Sequence, residues 1–203
     1  MYSYSIDNLI KQLKKLPSVG VHTAERFVFY WLKSGKKDVS ELMLALKALT
    51  ENVKSCSICW NFDDTNPCRI CQDKKRNQNI VCVVEQVSNL AVIEATGEYK
   101  GSYHVLRGLI DPSDEESLSK TKTQELLQRM RGAKESPEIS EVILALNPNI
   151  SGETTILYLT QKIKEINPTM KITRLARGLP IGSDIRYADE ITLSKALENR
   201  TEE

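Results

Sequence analysis

Ile6, Leu9, Ile10, Leu13 and Leu16 recur at three- and four-residue intervals with Lys11, Lys14 and Lys15 between them. This is the spacing of an amphipathic helix with an apolar stripe and a basic outer face. Pro17 should end it, because a proline ring disfavours the helical conformation of the residue before it. After Pro17-Ser18-Val19-Gly20 the pattern predicts a second helix through Ala24, Phe27, Val28, Trp31 and Leu32. A third is expected from near Ser40, with Leu42, Ala45, Leu46 and Leu49 inward. From Ile80 the rhythm changes to short apolar runs alternating with amphipathic stretches: Ile80–Val84 then Leu90–Ala95, Tyr103–Leu106 then Thr123–Arg131, Val142–Leu146 then Gly152–Ile166, and last Lys171–Leu175. Apolar runs separated by helical stretches predict βαβ units and a mainly parallel sheet. Residues 111–122, polar and acidic at their start, read as a surface loop.

Between these regions, from Cys56 to Gln78, the chain has four cysteines, Pro67 and no clear period, so apolar burial alone cannot fix it. Cys56-Ser-Ile-Cys59 and Cys68-Arg-Ile-Cys71 stand eight residues apart. Two such turns present four thiolates to one tetrahedral ion and leave no open position for water, the pattern of a closed structural Zn2+ site with one ion per chain. Because the ligands are sequence neighbours, the metal can serve as the core of this element. Cys82, inside an apolar run, is expected to be a buried small hydrophobe.

The 203 residues are 40% hydrophobic and 27% charged, enough for a sizeable core and too apolar for wholesale disorder. Apolar runs such as Ile80–Val84 are far short of the roughly 18 residues of a spanning helix. Asp7 and Lys11 stand where a secretion signal needs an apolar stretch, so a cytoplasmic protein with reduced thiols and no membrane partner is expected. The net charge of +1 hides an asymmetry: residues 1–78 carry +5 and residues 79–203 carry −4. A polyanionic partner would therefore dock on the N-terminal third.

Within that third, Leu16-Pro-Ser-Val-Gly20-Val-His-Thr-Ala24-Glu-Arg26 has an apolar residue, a tight turn ending in glycine and a new helix. This is the pattern of a helix-hairpin-helix, which offers backbone N–H groups at a helix N-terminus to a DNA phosphate. Ser18, Gly20, His22 and Arg26, with Lys11 and Lys15 on the preceding helix, are the candidate DNA-binding residues, and the grip should be independent of sequence.

Val83-Val84-Glu85 ends one expected strand in a carboxylate, and Val142–Leu146 ends in Asn147-Pro148-Asn149. Carboxylates at two neighbouring strand ends would hold magnesium for phosphoryl transfer. The amides supply no charge, so Glu85, even with Glu94 nearby in sequence, lacks the paired acids. Glu85 and Asn147 are read instead as partner-binding residues. Gly178-Leu-Pro180-Ile-Gly182 lacks the Gly-Lys-Ser/Thr close of a phosphate loop and reads as a turn and subunit contact. His104, in a strand, is expected to be a hydrogen-bonded, half-buried histidine.

The order of parts resembles the RecR family of bacterial recombination proteins over essentially the whole chain. The most specific stretches are Glu98-Tyr-Lys-Gly101-Ser-Tyr103-His104-Val-Leu-Arg-Gly108, Glu141-Val-Ile-Leu-Ala-Leu-Asn147-Pro148, Gly152-Glu153-x-Thr155 and Gly178 to Thr192. The resemblance implies an α/β architecture: a helix-hairpin-helix module over 1–54, a C4-type zinc finger over 55–78, a Toprim-like αβ domain over 79–176 and a Walker B-like C-terminal segment over 177–203. It further implies a non-enzymatic DNA-repair factor that acts with RecO and RecF to load recombinase onto gapped DNA, assembled as a dimer or a tetrameric ring. The family usually has Gly at Ser18, Pro-Lys at Val21-His22, Asp at Asn89 and Glu at Ser151. The alternatives are a Toprim-type metal-dependent phosphoryl-transfer enzyme acting on DNA, which Asn147 and Asn149 disfavour, and a zinc-ribbon RNA-binding protein, which the helix-hairpin-helix disfavours.

Overall fold

Ile6, Ile10 and Leu13 lie on one side of α1 (Tyr4–Leu13), and Ala24 and Val28 on one side of α2 (Val21–Ser34). Ile10, Ala24 and Val28 are buried together, with Ile6, Leu13 and Val19 packed against them. The structure, a computed structural model, describes residues 2–132 and 138–200. α1 ends four residues before Pro17, since Lys15 and Leu16 already tighten into turns on Gln12 and Leu13. Ser18 at φ +62° then reverses the chain. α3 (Lys36–Asn52) starts at Lys36 instead of near Ser40, because Gly35 at φ +100° both closes α2 and opens α3.

Leu42, Ala45, Leu46 and Leu49 are exposed, contrary to expectation. The apolar positions Leu42-Met43-Leu44-Ala45-Leu46 are consecutive and so surround the helix, and only Val39 of α3 is half-buried. A single stripe is what a helix needs to bury one face.

The chain divides after Val53 into two units. In the second, β1 (Lys54–Ser55) pairs antiparallel with β2 (Phe62–Asp63), and α4 (Arg69–Gln72) follows. Then come β3 (Asn77–Val84), α5 (Val87–Ala95), β4 (Gly101–Val105), α6 (Ser117–Lys120), α7 (Thr123–Met130), β5 (Glu141–Ala145), α8 (Ile150–Ile166), β6 (Lys171–Arg174), a 3-10 turn at Ile185–Tyr187, and α9 (Glu190–Glu198). Among the described residues, four strands form a sheet in the order β4-β3-β5-β6, every neighbouring pair parallel. Val81 faces Ser102 on one side and Val142 on the other, and Val84 faces Val105 and Ala145.

Side chains alternate between the two faces of a strand, so each face of this sheet builds its own core. Val81, Val83, Leu106, Val142 and Leu144 pack with Leu126, Leu127, Ile156, Leu159 and Ile163 of α7 and α8. Cys82, Val84, Tyr103, Val105 and Ala145 pack on the other face with Leu90 of α5, and Ile70 of α4 touches the same cluster. Cys82 is thus the buried hydrophobe expected of it. Gly152, in the first turn of α8, lies so close to the end of β5 that a Cβ would sit 1.9 Å from the Asn147 carbonyl oxygen. No other residue permits that approach. Residues 111–122 are not wholly a surface loop: they contain α6, and Ser117 and Thr121 are buried. Ser117 Oγ accepts from the Asp111 N–H, which folds the segment back on itself.

His104 departs from its expected half-burial, being fully buried in β4. Its Nε2 donates to the Lys122 carbonyl (2.8 Å), and Nδ1 has no partner. Burial pushes the imidazole down from its ordinary 6.5 to about 4, reinforced by nearby Arg129 and opposed by the Lys122 bond and Glu125. The folded state therefore holds it neutral while the unfolded chain takes up a proton below pH 6.5. Its contribution to stability is present above pH 6.5 and lost as pH falls toward about 4, on the order of 3 kcal/mol in total. Urea unfolding across that window should show this loss, and His104→Gln, which keeps a donor for Lys122, should flatten it. An unchanged pH slope in the variant would assign the acid lability elsewhere.

Candidate metal centre and nucleic-acid interface

The finger is built from two knuckle turns. Cys56 accepts the Trp60 N–H through its carbonyl, the Asn61 carbonyl accepts the Cys56 N–H, and the Cys68 carbonyl accepts the Gln72 N–H. These turns bring Cys56, Cys59, Cys68 and Cys71 together, with their sulfurs all within 4.8 Å of one another. Cys56, Cys59 and Cys68 are buried and Cys71 half-buried. The Cys68 N–H points at the Cys56 sulfur (3.3 Å), and the Cys59 and Cys68 sulfurs lie 3.5 Å apart. Sulfurs this close cannot all ionise without a cation between them. The bond to Cys68 pushes the Cys59 thiol up, and the bond to Cys59 pushes Cys71 up and Cys68 down. An all-sulfur, water-excluding donor set in two knuckles suits tetrahedral zinc. Ser57 and Arg69 are tied in by Asn66 and Asp63, whose side chains accept their backbone N–H groups.

Residues that sequence reasoning missed fasten this finger to the sheet. The Val105 N–H, at the end of β4, donates to the Cys59 carbonyl (2.8 Å). Arg107 donates to the Trp60 carbonyl (3.1 Å) and to Ser55 Oγ, and its guanidinium lies 4.1 Å from the centre of the Phe62 ring. The Lys122 ammonium lies 4.1 Å from the centre of the Trp60 ring. Each cation–π contact is worth roughly 0.5–2 kcal/mol according to its desolvation. Below the finger, Arg129 donates to the Tyr103 carbonyl and Ser102 Oγ. Burial pulls its pKa down, and the sulfurs of Cys71, Cys59 and Cys56 oppose that, as the counter-charge of a buried guanidinium should. Contacts spanning 47 or 52 residues leave no trace in a local pattern.

In the first unit, Gly20 is the residue before α2, with no side chain to cap the helix and no acid in its first turn. Ala24 bonds back to Gly20, so the N–H groups of Val21, His22 and Thr23 precede the first helical bond. A Cβ on Gly20 would meet nothing within 4 Å, so the approach is open. Lys11, Lys15, Ser18, Gly20, His22 and Arg26 are all exposed, and His22 Nδ1 is 3.4 Å from Glu25. Ser18, at φ +62°, occupies backbone space that glycine fills without strain.

At the carboxyl ends of the strands, Asn147 Nδ2 donates to Glu85 Oε2 (3.1 Å), which brings the two candidate partner-binding residues together. Asn149 is consumed as the cap of α8, accepting from the Gly152 N–H (2.8 Å). Glu94 is held by Arg76 and Tyr103, away from any shared metal role with Glu85. A cleft of about 360 Å³ opens beside Asn147 among Asn89, Val92, Arg174 and Arg177. Both arginines pair with Glu153. Beyond β6, Gly182 at φ +84° and a Ser183-to-Pro180 bond make the expected turn, with Ile181, Ile185, Tyr187, Ile191 and Leu197 exposed.

The chain matches families described as RecR, helix-hairpin-helix over residues 6–50; RecR, four-cysteine zinc finger domain over 53–73; Toprim domain over 79–176; and RecR, C-terminal over 178–201. It is 42% identical over 200 residues to proteins named Recombination protein RecR from two strains of Clostridium perfringens, ATCC 13124 and strain 13, covering 98% of each chain. Together with the clustered sulfurs, these matches make the cofactor one structural zinc ion.

Elemental analysis of folded, reduced protein should return one zinc per chain, and Cys59→Ser or Cys68→Ser should yield insoluble or partly unfolded protein without it. A folded sample free of zinc would contradict this. Arg107→Ala should cost about 1–3 kcal/mol, from its hydrogen bonds and ring contacts, read by urea unfolding followed through Trp60 emission. Ser18→Gly should leave the fold unchanged and raise stability by up to about 1 kcal/mol, checked by thermal melting.

Proposed function

The chain belongs to the RecR family of recombination proteins, and on that basis we propose that it is a non-catalytic, DNA-binding factor of recombinational repair that acts with RecO and RecF in loading recombinase onto gapped DNA. The observation that carries the DNA reading is the open N-terminus of α2 at Gly20, with unshared backbone N–H groups and exposed Lys11, Lys15 and Arg26 around it. Such a terminus offers donors and a positive dipole end to a phosphate, with no readout of base edges. Ser18 and His22 complete the contact surface. In this reading residues 1–54 hold DNA, and residues 55–78 form the finger, with Cys56, Cys59, Cys68 and Cys71 as the zinc ligands. Residues 79–176 present Glu85 and Asn147 to a protein partner, and residues 177–203 contact a neighbouring subunit. The exposed apolar side chains from Ile181 to Leu197 support that last assignment. A dimer or tetrameric ring multiplies the few phosphate contacts one chain can make. No described helix is long and apolar enough to cross a membrane, and we place the protein in the cytoplasm.

The side chains at the sheet's carboxyl edge support a non-catalytic role. Glu85 is bonded to an amide, and Asn149 is occupied as a helix cap, so among the described residues these strand ends offer Glu85 amides and not a second acid to share a cation. Neither magnesium nor manganese should support nicking, ligation or polymerisation, and reproducible cleavage that disappears in Glu85→Gln would reverse this assignment. DNA binding should be independent of sequence and steeply salt-dependent, each neutralised phosphate adding roughly −0.9 to the log–log slope on duplex DNA. Arg26→Ala should weaken binding, and His22→Lys, which adds a charge beside the α2 terminus, should strengthen it. A silent Arg26→Ala, with binding abolished by charge reversals in residues 79–203, would move the DNA site out of the first unit.

A further inference from the structure

Zinc held by four thiolates is a dianion, and a charge taken out of water has to be balanced by a neighbour. Two arginines at the finger have no carboxylate partner among the described residues. Arg107 donates to the Trp60 carbonyl and to Ser55 Oγ. These residues directly follow Cys59 and precede Cys56, so the guanidinium grips both ends of the first knuckle. Arg129 donates to the Tyr103 carbonyl and to Ser102 Oγ, on the strand whose Val105 N–H is bonded to the Cys59 carbonyl. All four acceptors are neutral, and both arginines are half-buried. Arg69, Arg76 and Lys122, also at the finger, are already balanced, by Asp63, by Glu94 with Asp73, and by Glu125. Burial lowers the pKa of both unbalanced guanidiniums, and sulfurs oppose it: Cys59 for Arg107, with Glu125 adding to it, and Cys71, Cys59 and Cys56 for Arg129.

We propose that Arg107 and Arg129 are the counter-ions of the zinc centre: their charges offset the dianion, strengthen the finger's hold on zinc and make its thiolates less reactive toward electrophiles. A cation beside a metal-bound sulfur stabilises the sulfur's lone pairs, and groups outside the ligand shell set metal affinity in this way. The Phe62 ring, 4.1 Å from the Arg107 guanidinium, and the Tyr103 carbonyl on Arg129 keep both cations from turning toward water. The coupling runs in both directions. Loss of zinc leaves two half-buried guanidiniums without a counter-charge, which is costly in a medium less polar than water. The carboxyl end of β4, to which both arginines belong or bond, thereby registers whether the finger is loaded. This role of charge is separate from the packing that fastens the finger, and it stands independently of the DNA reading.

The test uses the full chain loaded with zinc and, for spectroscopy, with cobalt(II) in its place. Arg107→Gln and Arg129→Gln keep a hydrogen-bonding amide and remove the charge. Each should lower zinc affinity about ten- to a hundredfold, measured by competition with the chelator pyridylazoresorcinol, and should speed alkylation of the thiolates by iodoacetamide. The sulfur-to-cobalt charge-transfer band should move to longer wavelength, because a sulfur deprived of its neighbouring cation gives up an electron more readily. Arg107→Lys and Arg129→Lys return the charge and should return all three readings toward those of the unsubstituted chain. Arg131→Gln, at the exposed end of α7, should change none of them. A merely mechanical clamp would lower unfolding stability and leave the band where it was. Glutamine variants that hold zinc within about twofold of the unsubstituted chain, an unmoved band, or lysine variants as weak as the glutamine ones would each overturn the proposal. Should the glutamine variants fail to fold, the lysine variants decide: zinc affinity and band near those of the unsubstituted chain sustain it, and loss of either overturns it.

Discussion

Four sulfurs held within 4.8 Å of one another impose a constraint that the second unit is arranged to satisfy. Thiols at that distance repel when ionised and pack poorly when protonated, and a tetrahedral ion resolves both problems at once. The segment has little else to hold it. Its buried apolar members are the cysteines themselves, with Ile70 beside them. Ile70 also touches the cluster beneath β3 and β4, so the metal core and the sheet core share a side chain.

That sharing makes the finger part of the sheet domain in energetic terms. Val105 extends the hydrogen bonding of β4 onto the Cys59 carbonyl, and Arg107, leaving the same strand end at φ +62°, clamps Trp60 and Phe62. Lys122, whose ammonium lies against the Trp60 ring, also supplies the carbonyl that accepts from His104. A chain of contacts therefore runs from the zinc ligands through Trp60 and Lys122 to a histidine buried in β4. Zinc loss and acid should act on neighbouring parts of one cooperative structure.

The first unit is organised differently. Its shared core is small, built around Ile10, Ala24 and Val28, and α3 buries none of its leucines. What that module offers is surface: an uncapped helix start, lysines and arginine, and aromatic rings along α2. The sheet domain, by contrast, commits four of its arginines to its own groups, Arg76 to Glu94, Arg129 to backbone and hydroxyl, and Arg174 and Arg177 to Glu153.

The parallel sheet, its crossover helices and the zinc ligands were legible in the sequence because each is set by local spacing: apolar runs alternate with 3.6-residue periods, and closely spaced ligand pairs meet at one ion. The resemblance to RecR rested on stretches of similar locality, and the family assignment agrees with it. Tertiary structure alone decided which periodic side chains were buried. Leu42, Ala45, Leu46 and Leu49 have helical spacing yet no second surface to cover them, and His104 became fully buried because α7 closes over β4. It also decided the meeting of Arg107 with Trp60 and of Glu85 with Asn147, pairs separated by 47 and 62 residues. A sequence pattern records the period of an element, whereas such contacts depend on which elements the folded chain lays side by side.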